Sequence, residues 1–135
     1  MQLVPISQKV LIFNKDGQFL VLLRGKTAPS KPLRWDLPGG DLELNEDPIE
    51  SMVRETKEES GLEVEQLRPF DVEAHINNKG VYWVTIGYIA KTSNSKVKIS
   101  WEHDEYKWVN LAEFLKLESI PKIVRFVKKH YINQN

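Results

Sequence analysis

The chain has 135 residues, the size of one ordinary domain, and balances 19 basic against 19 acidic side chains. Zero net charge gives no global attraction to nucleic acid or an anionic membrane, so an anionic substrate has to be met by a local site. The absence of cysteine excludes disulfides, thiolate catalysis and cysteine-ligated zinc, and it fits a reducing compartment, so a cytoplasmic location is expected.

The opening MQLVPISQK lacks the basic-then-apolar order of a secretory leader, and the longest apolar runs are far too short to span a bilayer. No repeat, low-complexity tract or linker interrupts the chain, so one domain over 1–135 is expected. Residues 9–13 and 18–24 are rich in Val, Ile, Leu and Phe and flank the turn sequence Asn14-Lys15-Asp16-Gly17, which predicts a β-hairpin. Residues 26–31 form a polar loop. Residues 35–37 make a short extended piece that Pro38-Gly39-Gly40 breaks. The next helix is marked at both ends. Asp47 suits the N-cap, Pro48 the first helical position, Glu50 a capping box, and Gly61 the left-handed position past the C-terminus. Ile49, Met52, Val53 and Thr56 recur at helical spacing and predict its buried face. Residues 62–72 predict one or two strands. A long strand, 81–90, follows the turn Asn77-Asn78-Lys79-Gly80, and 97–100 and 106–109 predict shorter ones. Residues 120–131 predict a second helix with Ile120, Ile123, Val124, Val127 and Tyr131 on one stripe, its terminal lysines suiting the helix dipole. Strands on both sides of the first helix predict an α/β fold: a mixed sheet with helices on both faces.

Residues 40–62, GDLELNEDPIESMVRETKEESGL, carry the chemistry. At roughly 100° per residue, Glu55, Glu58 and Glu59 fall on one side of the helix, beside the apolar stripe, where a cleft wall can form. Like charges at these spacings cost a helix a few tenths of a kcal/mol per pair, and a cation among them removes the repulsion. Magnesium prefers carboxylate oxygens, keeps several waters and bridges to substrate phosphates. Arg54 can reach a carboxylate one turn away or on the preceding loop and fix its orientation. A solvated helix face neutralised by Arg54 and Lys57 is the ordinary alternative, and the fixed spacing argues against it.

The stretch resembles the Nudix box, G-x5-E-x7-R-E-U-x-E-E-x-G-U with U usually aliphatic. Gly40, Glu46, Arg54, Glu55, Glu58, Glu59, Gly61 and Leu62 match, and Thr56 at the first U is the one departure. Seven fixed residues at roughly 7% background amount to about one chance in 10⁸ per window, which Glu-richness relaxes by only an order of magnitude or two. The lead-in Trp35-Asp36-Leu37-Pro38-Gly39, the strand order and the later Trp108-Val109 strand extend the resemblance to most of the chain.

The resemblance implies a Nudix fold, an α/β/α sandwich with a mixed central sheet, and MutT-like hydrolysis of a phosphoanhydride bond in a nucleoside diphosphate linked to a further group X. It implies magnesium or manganese held by Glu55, Glu58, Glu59 and the carbonyl of Gly39. Arg54 would orient Glu55, Glu46 would hold the loop and pair with Arg54, and Gly40 and Gly61 would be structural. The family often uses one more acid before a late strand, here Glu102 ahead of Glu105. Small nucleotides such as nucleoside triphosphates or nucleotide sugars are implied as substrates, with capped or triphosphate RNA ends also open. Arg24 and Arg34, with Lys26 and Lys31, are expected near phosphates, and Trp35 or Tyr82 near a base; ordinary surface charge and core packing are their alternatives. His103 is expected on a solvent-facing loop, and His75 and His130 carry no expected role. Asn77, Asn78 and Lys79 stand where the family's ADP-ribose and dinucleoside-polyphosphate markers, a proline and a tyrosine, would fall. Against an enzyme stands a catalytically silent nucleotide-binding module, in which box carboxylates would be replaced; all three are present. An isomerase relative would need a cysteine.

Overall fold

The computed structural model describes residues 3–133, so Met1 and Gln2 of the opening stretch, and Gln134 and Asn135, lie outside the described residues. Seven strands form one mixed sheet: β1 (Ile6–Phe13), β2 (Phe19–Arg24), β3 (Trp35–Asp36), β4 (Gly39–Asp41), β5 (Glu65–Ile76), β6 (Tyr82–Lys91) and β7 (His103–Val109). The helices are α1 (Pro48–Ser60), α2 (Leu111–Leu115) and α3 (Pro121–Ile132).

The hairpin forms as predicted, closed by Asn14, whose Oδ1 accepts from the backbone N–H groups of Asp16 and Gln18. Its strands then part. The registered pair between β1 and β2 is Phe13 with Phe19. Below it β4 takes the vacated edge of β1, pairing Ser7, Gln8 and Lys9 with Asp41, Gly40 and Gly39, and β3 takes the vacated edge of β2. The segment expected to be broken at Pro38-Gly39-Gly40 is therefore two strands filling a fork, because edges left bare inside a sheet need partners. On the outer sides, β1 runs parallel to β6 over its whole length, β6 pairs antiparallel with β5, and β2 with β7.

Strict alternation in the two central strands serves two cores. Leu11, Phe19 and Val21 face Phe114, Ile123, Phe126 and Val127 of α2 and α3. Val10, Ile12, Leu20 and Leu22 face Met52 of α1, with Leu62 and Tyr88. The α/β/α sandwich follows directly. Gly87 lets α3 lie close to β6: a Cβ there would sit 1.4 Å from the Phe126 ring.

Four expectations need correction. The predicted strand at 97–100 is extended but unpaired in the sheet; Lys98 and Ser100 donate instead to the carbonyls of Ser60 and Glu59 at the end of α1. The short helix α2 was not predicted, although Asn110 and Glu113 form a full capping box at its start. In α1, Asp47 caps the Glu50 N–H, so half of the box forms, and Gly61 closes the helix at φ 72°. The buried face of α1 is Ser51, Met52, Thr56, Glu59 and Ser60, while Ile49 and Val53 are exposed. A polar network fixes this rotation: Gln8 Nε2 donates to Ser51 Oγ, and Gln8 Oε1 accepts from the Tyr88 hydroxyl at 2.6 Å.

Gly87→Ala forces the Phe126 ring away from β6 and is expected to destabilise the protein by about 1–3 kcal/mol or more. Denaturant unfolding measures the loss.

Candidate active site

A cleft of about 740 Å³ opens at the end of the sheet where the fork lies. Glu55, Glu58 and Glu59 of α1 line it, with Gly39 and Gly40 of β4, Glu102 and His103 before and in β7, Lys9 of β1, Arg24 of β2, and Lys122 of α3. The rotation of α1 sets the three acids at different depths. Glu59 is only 6% exposed and accepts a bond from the Gly39 N–H at 3.2 Å. The Glu55 carboxyl lies against Gly40, where a Cβ would stand 2.9 Å from Cδ. The Glu58 side chain is 57% exposed.

Arg54 gathers the acids from outside. Its Nη2 donates to Glu46 Oε2 at 2.6 Å and lies 3.4 Å from Glu55 Oε1, and its Nη1 donates to Glu58 Oε1 at 3.3 Å. Glu46 in turn accepts the Glu43 N–H at 2.7 Å, which with Arg54 holds its carboxyl below the usual range. Gly61 terminates the helix that carries these groups.

The acids are short of positive charge. Burial pushes Glu59 up to about 8, with the charges of Glu102 and Asp36 adding to the rise and Lys9 and the Gly39 N–H opposing it. Burial also raises Glu55, and Glu58, Glu102 and Glu46 add to it against Arg54. Among the described residues no three acidic or histidine side chains converge on a common cation position. The donor set still fits a hard divalent ion: every side-chain donor is a carboxylate oxygen, and two of the carboxylates are held in surroundings that disfavour their charged form until a cation arrives.

Asp36, overlooked in the sequence except as part of the lead-in, is buried at the cleft floor. Burial alone would raise its carboxyl, yet Lys9 at 2.9 Å, the Leu37 N–H and Arg24 at 3.4 Å hold it below the ordinary value. Arg24 is thus at the cleft, as expected, and partly committed to Asp36 and to the Ser30 carbonyl. Its neighbours in the expectation are elsewhere. Arg34 faces outward and pairs with Glu118 at 2.8 Å. Trp35 is a core residue, 7% exposed, packed in the α2–α3 cluster with Lys107 over its ring. Its backbone also bridges to Ser119, and it is not among the cleft residues. Lys26 and Tyr82 are not among the cleft residues, whereas Lys31 is.

Glu102 lines the cleft and Glu105 does not. The backbone carbonyl of Glu102 accepts the Gly25 N–H, tying two loops together. His103 is half-buried at the cleft wall and not solvent-facing, and burial lowers it to about 4. The wall also holds His75 and Trp83, cross-strand partners on β5 and β6, and Lys122. These side chains gave no functional signal, since an aromatic–His pair in a strand and a lysine in a helix are ordinary.

A family model for the NUDIX domain matches residues 5–129. The mouse asymmetrical bis(5'-nucleosyl)-tetraphosphatase is 33% identical over 62% of this chain, and the match spans 60% of the mouse protein. The Caenorhabditis elegans protein of the same name is 31% identical over 83% of this chain and 81% of its own. Among solved structures, a MutT protein from Methanosarcina mazei Go1 is 30% identical with a TM-score of 0.75, covering 96% of this chain and 94% of the other.

Two outcomes follow from the geometry. Glu59 binds its proton more tightly folded (about 8) than unfolded (4.5), so its contribution to stability is complete below the unfolded value and lost as pH rises towards the folded one. In metal-free buffer Tm should therefore decline across that window, and Glu59→Gln should flatten the decline, as thermal melts at stepped pH will show. Arg34→Ala should leave KM unchanged and Arg24→Ala should raise it several-fold, read from steady-state kinetics.

Proposed function

This chain belongs to the NUDIX family, and we infer that it is a metal-dependent pyrophosphohydrolase that opens a phosphoanhydride bond in a nucleoside polyphosphate. The observation that carries this reading is the cleft's division: an acidic rim of Glu55, Glu58, Glu59 and Glu102 meets a basic floor of Lys9 and Arg24. One end suits a divalent cation and the other suits phosphate.

Glu55, Glu58, Glu59 and the Gly39 carbonyl would hold magnesium or manganese. When bound there, the cation neutralises non-bridging phosphate oxygens and lowers the pKa of a water. Arg54 keeps Glu55 and Glu58 turned towards the cleft and is itself anchored by Glu46. Lys9 and Arg24, held in place by Asp36, meet phosphate oxygens. Glu102, whose charge is felt by both Glu55 and Glu59, supplies the additional acid. Water attacks phosphorus and the phosphate leaves with its bridging oxygen; no covalent enzyme intermediate is needed, in keeping with a chain without cysteine.

The relatives named above support a substrate carrying several phosphates, and the substrate is a small nucleotide. The residue at the family's dinucleoside-polyphosphate marker is not tyrosine, so the two-base and one-base substrates have to be compared directly. A panel of dinucleoside polyphosphates, nucleoside triphosphates and nucleotide sugars with magnesium or manganese, read by product identification, tests the class and shows which phosphorus is attacked. Glu58→Gln is expected to lower kcat by at least about a hundredfold at saturating magnesium. Near-normal turnover by that variant would remove Glu58 from the metal site.

A further inference from the structure

Among the described residues Lys122 has no ion-pair partner. Its Nζ lies 3.5 Å from Ser7 Oγ and 3.4 Å from Thr85 Oγ1, two buried hydroxyls bonded to each other at 2.7 Å. A half-buried ammonium that faces a cleft and bonds to hydroxyls has lost hydration without gaining a paired counter-ion. Burial lowers it to about 8, and Lys9 and Lys31 add to the fall against Asp36 and Asp41.

The surroundings repeat the pattern. Lys31 lines the same cleft and makes no ion pair among the described residues. Its backbone holds φ 48°, a left-handed conformation that is uncommon for lysine. His75 senses both lysines. The charge of Lys9 acts on both ends: on Glu59 at the acidic rim and on Lys122 beyond. The cleft therefore runs from the acid rim, past the Lys9–Asp36 pair, to a second cationic region around Lys122. Lys9 and Arg24 share one carboxylate, so the uncommitted charge belongs to Lys122 and Lys31.

We propose that Lys122, assisted by Lys31, binds the phosphates of the substrate that lie beyond the bond being cleaved, and so makes the enzyme selective for chains of three or more phosphates. The proposal rests on the hydrolase reading above and adds to it a chain-length determinant. Lys122 is a substrate-binding residue here, set apart from the acidic rim.

Inorganic tripolyphosphate and pyrophosphate, titrated calorimetrically into the full chain without added metal, separate the two readings. Tripolyphosphate should bind more tightly than pyrophosphate. Lys122→Gln should weaken tripolyphosphate about tenfold while changing pyrophosphate less than twofold, and Lys122→Arg should restore most of the loss. On a nucleoside triphosphate, Lys122→Gln should raise KM with kcat nearly kept. Thermal melts of each variant establish that it is folded. Equal tripolyphosphate affinity in the wild type and Lys122→Gln overturns the proposal. If the affinity difference holds but no nucleotide is hydrolysed by the wild type, the chain-length site stands and the hydrolase reading falls.

Discussion

The parting of β1 and β2 below Phe13 and Phe19 is the constraint on which the rest of the molecule depends. Two central strands that separate leave two rows of backbone donors and acceptors inside a sheet, where water cannot satisfy them. Seven residues, Trp35 to Asp41, fill both rows from one passage of chain. That passage must come close enough for Gly39 to approach the Gln8 carbonyl to within a distance that no side chain allows. The same passage then meets α1: Gly39 binds Glu59, and Gly40 makes room for Glu55. A hydrogen-bonding requirement of the sheet thus sets the position of the acid rim.

Electrostatic separation is the second organising theme. Acidic and basic groups in one cleft would ordinarily neutralise one another by direct pairing. Here Asp36 holds Lys9 and Arg24 on the floor, and Arg54 holds Glu46, Glu55 and Glu58 from behind. Lys9 and Arg24 are thereby occupied by Asp36, and Arg54 shares its charge among Glu46, Glu55 and Glu58. The rim remains undercompensated, which is the condition under which a small, strongly charged ion competes well against protein groups.

Much of this was legible in the sequence, and the failures have physical causes. The hairpin, the caps of α1 and the mixed sheet follow from local chemistry that tertiary packing did not override. Met52 and Thr56 lie on the buried face of α1 as their spacing predicts, but hydrophobic periodicity also favours Ile49 and Val53 for the interior, whereas the helix buries Ser51, Ser60 and Glu59. Buried serines satisfied by Gln8 and by the Thr56 carbonyl leave no hydrophobic trace. Arg34 is a loop cation and Trp35 an aromatic able to stack a base, but Arg34 pairs with Glu118, and β3 pairs with β2 and carries the tryptophan into the core, the alternatives that residue type alone leaves open. Lys122 and His75 reach the cleft through long-range register between elements far apart in sequence, which local pattern does not encode.

The bond from the Gly25 N–H to the Glu102 carbonyl, with the Lys26 N–H donating to Asp104, joins the loop after β2 to the turn before β7 and the first residues of that strand. These bonds tie the two segments into one piece, although 77 positions separate Gly25 from Glu102 in the chain. Lengthening the 26–34 loop to admit a bulkier group would drag Glu102 with it. Descendants of this sequence that acquire a new substrate are therefore constrained to retune acid and pocket together, so that changes of specificity and changes of rate are inherited as a pair.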